Sequence, residues 1–220
     1  KLSDMDSYSK GYIDALVDAQ SHIDGYFFLE ESLSPALLDA MQKVCPITPN
    51  QDGAETPAYV YSHYFLGRRA TALARIDLLN KLSQNFDVTV YTHADCKDIL
   101  PTAIYGGKID YYDTMPTVFQ HSKINLNITL KTIQTGIPLR AWDILGCGGF
   151  LLTNFQQELC DFFIPGEDFV YYESPADAIE KAAYFLSHGR ERQEIAHNAF
   201  EKIAASHTFH HRVQSMFDII

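Results

Sequence analysis

Apolar side chains recur at helical intervals through the first fifth of the chain. Tyr12, Leu16 and Ala19 keep that spacing. Leu33, Leu37, Leu38 and Met41 repeat it behind Ser34-Pro35, a cap residue followed by proline at the first helical position. Helices are therefore predicted over residues 1–44. The run Cys45-Pro46-Ile47-Thr48-Pro49-Asn50-Gln51-Asp52-Gly53 then breaks all periodicity with two prolines and a glycine. It predicts a boundary: residues 1–52 as a helical segment and linker, residues 53–220 as a separate domain.

Beyond that point strand-like and helix-like patterns alternate. Residues 59–65 are aromatic and β-branched, as strands prefer. Residues 69–82 follow as a helix with Ala72, Ile76, Leu79 and Leu82 on one face. Strands are predicted at 87–91, 109–112, 124–128, 149–153 and 169–172, with helices at 115–121, 138–147 and 156–163. Ser174-Pro175 opens a helix carrying Ile179, Ala183 and Leu186, closed by Gly189. Two more helices, 191–206 and 210–217, finish the chain. Strands separated by helices imply crossover connections and a parallel sheet, so the fold class is α/β. Such sheets bind ligands beyond the carboxyl ends of their strands.

Composition narrows the partners. The 46% hydrophobic and 20% charged residues are ordinary for a globular protein. Lys plus Arg number 17 against 28 Asp plus Glu, a balance of 17 − 28 = −11. With no Lys/Arg run to offset it, that charge argues against nucleic acid as a partner. A small anion held by a few fixed donors stays compatible with it. The four cysteines form no C-x-x-C pair, so a reducing, cytoplasmic compartment is expected. No apolar run approaches the ~20 residues of a transmembrane segment. Lys1-Leu2-Ser3-Asp4 carries neither an initiator Met nor a signal-peptide core, and the chain is expected to be an excerpt.

The segment richest in chemistry is Thr135-Gly136-Ile137-Pro138-Leu139-Arg140-Ala141-Trp142-Asp143. Gly136 lets the backbone turn, and Pro138 suits the first helical position. The first helical turn then offers unpaired N–H groups and a positive dipole end, a seat for a diphosphate. Arg140 lies in that turn, where its fork reaches phosphate oxygens. Asp143, three residues on, shares its face and leans towards the sheet's mouth, at ribose-hydroxyl distance. The plainer alternative is a surface ion pair between Arg140 and Asp143.

The ordered series Ile124-Asn125-Leu126-Asn127, Gly136-Ile137-Pro138-Leu139-Arg140 and Asp143-Ile144-Leu145-Gly146-Cys147-Gly148-Gly149-Phe150 resembles the C-terminal domain of GT-B glycosyltransferases. It is most similar to the bacterial branch related to spore-maturation glycosyltransferases. The likeness continues through Phe163-Ile164-Pro165-Gly166-Glu167 to His207-Thr208-Phe209 and Arg212, covering residues 57–217. What the resemblance implies is a Rossmann-like, retaining-type domain that binds a nucleoside diphosphate sugar, UDP among the candidates, with no metal or other cofactor. It also implies a partner: the N-terminal GT-B domain that would bind the acceptor. Asp143 matches a carboxylate that holds the donor ribose, where relatives more often carry Glu. Thr135 stands where many have a second Glu near the sugar.

Further candidates surround this segment. Tyr64-Phe65-Leu66-Gly67-Arg68-Arg69 reads as a strand–helix turn, with Gly67, Arg68 and Arg69 close to phosphates; the alternative is solvated arginines. Asp110-Tyr111-Tyr112-Asp113 ends a strand where relatives hold the nucleobase, and Tyr112 is the candidate to cover it; core tyrosines are the plainer reading. Thr129 is a candidate phosphate donor or a turn cap. His207, His210 and His211 lack the company a zinc site needs. No residue is singled out as catalytic. The reading is a glycosyltransferase donor-binding domain, hexosyltransferase-like and incomplete alone. A non-catalytic nucleotide-binding or protein-interaction module is the alternative.

Overall fold

The structure, a computed structural model, describes residues 4–48, 53 and 55–218. The centre of the expected linker, residues 49–52, lies outside the described residues. Contacts divide the chain into two compact units, Lys1–Asp77 with Leu130–Gln134, and Leu78–Thr129 with Thr135–Ile220. Among the described residues no helix is long and apolar enough to cross a membrane.

The first unit is helical. Asp6 accepts the Ser9 N–H and starts α1 (Ser7–Ser21), and Ser34 accepts the Leu37 N–H to start α2 (Pro35–Val44). Ile13 and Val17 of α1 are buried with Leu37 and Met41 of α2. Tyr12 and Ala19, expected on the packed face, are exposed. The buried stripe thus centres on Ile13 and Val17, with the expected Leu16 packed at its edge. Gln20 completes it: its Nε2 donates to Tyr26 C=O at 2.9 Å and its Oε1 accepts the Phe28 N–H at 2.9 Å, pinning the loop that follows.

The strand expected at 59–65 is helical. Thr56 accepts the Tyr59 N–H at 3.1 Å, with Pro57 next, and opens a short α3 (Pro57–Tyr59). A π-helical stretch, Val60–Leu66, runs on into α4 (Gly67–Ser83). The aromatic content misled the strand reading. Burial of Tyr61, Ser62 and Leu66 on one side decides the outcome, with Tyr61 Oη donating to Cys45 C=O at 2.7 Å.

In the second unit every strand pairing is parallel. Strand β1 (Thr89–Tyr91) pairs with β2 (Ile104–Gly107), and β3 (Asn125–Asn127), β4 (Leu151–Asn154) and β5 (Val170–Tyr172) follow in that order. The strand expected at 109–112 lies earlier, as β2, because Asp110 folds that stretch into a turn. Residues expected as a helix at 156–163 form a 3₁₀ turn, Gln157–Asp161.

Side chains alternate across β4 and β5, so the sheet is covered on both faces. Leu152, Val170 and Tyr172 pack with Ala178, Ala182 and Phe185 of α7 (Pro175–Ser187) and with Leu78 and Leu82. Leu151 and Phe169 pack with Phe119 of α5 (Met115–His121), Ala141, Ile144 and Leu145 of α6 (Leu139–Gly146), and Ala199 of α8 (Gly189–Ser206). Ala183, expected inward, is exposed. A last helix, α9 (Phe209–Phe217), is capped by Thr208. Short parallel sheets flanked by helices make this a Rossmann-like α/β fold.

Leu151 is fully buried in β4. Leu151→Ala should lower unfolding free energy by about 2–5 kcal/mol, read by denaturant titration. A loss under about 1 kcal/mol would contradict its place in the core.

Candidate functional site

Burial of Ala141, Ile144 and Leu145 sets which way α6 faces. Arg140 and Asp143 then fall away from the packed stripe, Arg140 exposed and Asp143 half-buried. Gly136 precedes the helix at φ +99. A Cβ there would meet nothing within 4 Å, so the glycine serves the turn. Pro138 is the N-cap, one position before its expected place, and the helix starts at Leu139. Proline has no side-chain acceptor, and no side chain caps this end. Ala141 N–H turns back to Pro138 C=O at 2.9 Å. Ile137, half-buried, packs against the core beneath.

Asp143 and Arg140 do not pair. The Tyr111 hydroxyl donates to Asp143 Oδ2 at 2.7 Å, while the Arg140 guanidinium lies 5.5 Å from the Phe119 ring centroid. That contact places the carboxylate beside the loop leaving the carboxyl end of β2. Asp110 shapes this loop by accepting the N–H groups of Tyr112 and Asp113, each at 2.8 Å. Those bonds hold its carboxyl below the usual carboxylate range. Hydrogen bonding to Asp143 pushes the Tyr111 phenol up, because the bond needs its proton. Neither loop tyrosine is a core residue: Tyr111 is 43% and Tyr112 83% exposed. Their rings meet edge to face at 5.1 Å.

Thr129, just past β3, is buried in a polar ladder. Its N–H donates to Asn154 Oδ1 at 2.8 Å, and its Oγ1 accepts from Asn127 Nδ2 at 3.1 Å. The same amide donates to Thr153 Oγ1 at 3.0 Å. The polar side of β3 thus ties its carboxyl end to β4.

The family model described as glycosyl transferase-like matches residues 69–218. The chain belongs to this family. Membership supports a glycosyl-transfer role and transferase activity in general. A search of curated proteins finds no match.

Within this glycosyl transferase-like chain, the match begins at Arg69, inside α4, and leaves Gly67 and Arg68 outside it. The expected strand–helix turn at these residues is instead continuous helix. Gly67 N–H is bonded to Ser62 C=O. A Cβ on Gly67 would lie 2.3 Å from Thr132 Cγ2, so close packing accounts for this glycine. Arg69 pairs with Asp14 at 2.7 Å, and the Arg68 guanidinium lies 5.8 Å from the Tyr64 ring centroid. Gly67, Arg68 and Arg69 all belong to the first unit.

Tyr111 is the site contact that sequence reasoning passed over in favour of Tyr112. Asp110 as a turn former was a signal for the loop, but nothing local links it to a helix 32 residues on. A second contact was also missed. Buried Asp168 accepts the Ile164 N–H at 2.7 Å and the Lys202 ammonium, closing the loop of Pro165, Gly166 and Glu167.

Among the described residues no group of three His, Cys, Asp or Glu side chains is placed to hold a metal ion. His211 Nδ1 meets Thr208 Oγ1 at 2.7 Å. His207 sits among aromatic rings, 5.3 Å from Trp142 and 5.4 Å from Phe162 by ring centroids. Arg212 donates to its Nδ1 at 3.0 Å. All four cysteines are free thiols, and burial pushes that of Cys147 up.

Burial, then the Arg212 and His211 charges, hold His207 below its ordinary value of 6.5. The unfolded chain therefore takes up this proton more readily than the folded one. The stabilisation is complete above about pH 6.5 and is lost as pH falls through the lowered folded value. Thermal melts from pH 8 to pH 5 should show that decline, and His207→Asn should flatten it. An unchanged slope in the variant would contradict the assignment.

Proposed function

We propose that the domain holds a nucleoside diphosphate sugar for transfer, with the diphosphate at the amino end of α6 and a ribose hydroxyl on Asp143. The observation that carries this reading is an uncapped helix start with a half-buried carboxylate one turn further along. The bare amides and dipole end favour an anion. Arg140 adds a cation in a chain of formal charge −11. Gly136, Ile137, Pro138 and Leu139 shape the turn that the phosphates would approach, and Tyr112 offers a ring to the base.

In transfer an acceptor hydroxyl oxygen bonds to the anomeric carbon and gives up its proton, while the bond from that carbon to the diphosphate oxygen breaks and leaves its electron pair, and growing negative charge, on the phosphate. Donors already aimed at that oxygen need no reorganisation as the charge develops, so they stabilise the transition state more than the ground state. Acceptor recognition is assigned to a partner domain of GT-B type. Positioning two substrates supplies much of the barrier reduction, so this chain alone is expected to bind nucleotide and transfer slowly.

Calorimetric titration with UDP, GDP and ADP tests the reading. At least one should bind, and Asp143→Ala and Arg140→Ala should each weaken it by about 1–3 kcal/mol, as lost charged hydrogen bonds do. Absence of binding by all three, or variants that bind as the parent does, would remove the donor-site reading.

A further inference from the structure

We propose that Tyr111 is a positioning residue for Asp143, fixing one carboxylate oxygen so that the other receives a ligand hydroxyl. This rests on the nucleotide-sugar reading of the same site.

A carboxylate on a helix can turn about its last bond, and a half-buried one has several ways to spend its two oxygens. The 2.7 Å bond from the Tyr111 hydroxyl to Oδ2 removes that freedom. Among the described residues Tyr111 is the one partner of this carboxylate. The contact is open to solvent, and the loop that carries it is held in place. Tyr111 follows Asp110, whose side chain accepts the next two amides at 2.8 Å. Asp110 C=O also accepts the Met115 N–H at 2.9 Å, joining the loop to the start of α5. Tyr112 packs edge-on against the Tyr111 ring. At the other end, Asp143 is carried by a helix whose rotation is set by buried Ala141, Ile144 and Leu145. Both partners are therefore held by independent scaffolding, the arrangement that makes a hydrogen bond orient a group rather than follow it.

The arrangement also divides the carboxylate's work. With Oδ2 occupied, Oδ1 remains for the ligand, and an acceptor-only oxygen selects a hydroxyl donor over a ligand that lacks one. An aspartate is one methylene shorter than glutamate and has one fewer torsion to restrain.

The test is a double-mutant cycle on the whole chain, read by calorimetry. The probe is whichever of UDP, GDP or ADP binds most tightly, alongside its 2′,3′-dideoxy analogue. Tyr111→Phe keeps the ring and removes only the hydroxyl. It should weaken the ribonucleotide about three- to tenfold and leave the dideoxy analogue unchanged. In an Asp143→Asn background the same change should have no further effect, whereas a merely structural role would weaken binding in both backgrounds and for both ligands. Circular-dichroism melts of each variant establish that the fold is retained. If Asp143→Asn weakens binding and Tyr111→Phe does not, the positioning role is overturned and the donor site survives. If Asp143→Asn binds the ribonucleotide as well as the parent, or no ribonucleotide binds, the donor site and the positioning role both fall.

Discussion

The rotation of α6 about its own axis governs everything proposed for this chain. Ala141, Ile144 and Leu145 are almost wholly removed from water, between the sheet and α8. Full burial of an isoleucine or leucine is worth about 1.5–3 kcal/mol each, far more than any surface contact that Arg140 or Asp143 could make. The hydrophobic residues therefore choose the orientation, and the polar ones accept what remains. A helix turned by one residue, about 100°, would bury Asp143 or swing it away from the β2 loop. Packing on one side of the helix is what makes chemistry on the other side reproducible.

That division explains why Arg140 and Asp143 do not neutralise one another despite their spacing. The carboxylate is engaged by a tyrosine from a distant loop, and the guanidinium rests over an aromatic face. Each keeps its charge available to a third party. An exposed ion pair between them would contribute little, about 0–1 kcal/mol, so modest competing contacts are enough to separate them. The polar ladder of Asn127, Thr129, Thr153 and Asn154 follows the opposite logic. There the groups are buried, and leaving any one unpaired would cost about 1–3 kcal/mol, so they satisfy each other.

Much of the α/β alternation was legible because it rests on local signals. Ser34-Pro35 and Ser174-Pro175 mark helix starts that the structure reproduces. Thr56-Pro57 carries the same signal, just ahead of the aromatics of residues 59–65 that suggested a strand. The cap was the better guide, because a cap is a backbone hydrogen bond while β-propensity mostly reports the surroundings a side chain packs against. Helix faces were less legible than helices. In α1 and α7 the buried apolar positions include Ile13, Val17, Ala178 and Ala182; the expected Leu16 and Ile179 pack at the edge of the core, while Tyr12 and Ala183 are exposed. When apolar residues sit on both sides of a helix, periodicity cannot say which side meets the core.

For the candidate site the same boundary holds. By itself the sequence determined the helix after Gly136, the glycine turn before it, the nearness of Arg140 and Asp143 on one helix, and the parallel sheet that puts functional loops at one end. These depend on backbone geometry within a few residues. Only the tertiary structure decided that Tyr111, not Arg140, takes the Asp143 carboxylate, that Thr129 serves the sheet, and that Gly67 lies inside a helix packed against Thr132. Those outcomes are competitions between contacts far apart along the chain, and their winner depends on which surfaces burial has already brought together.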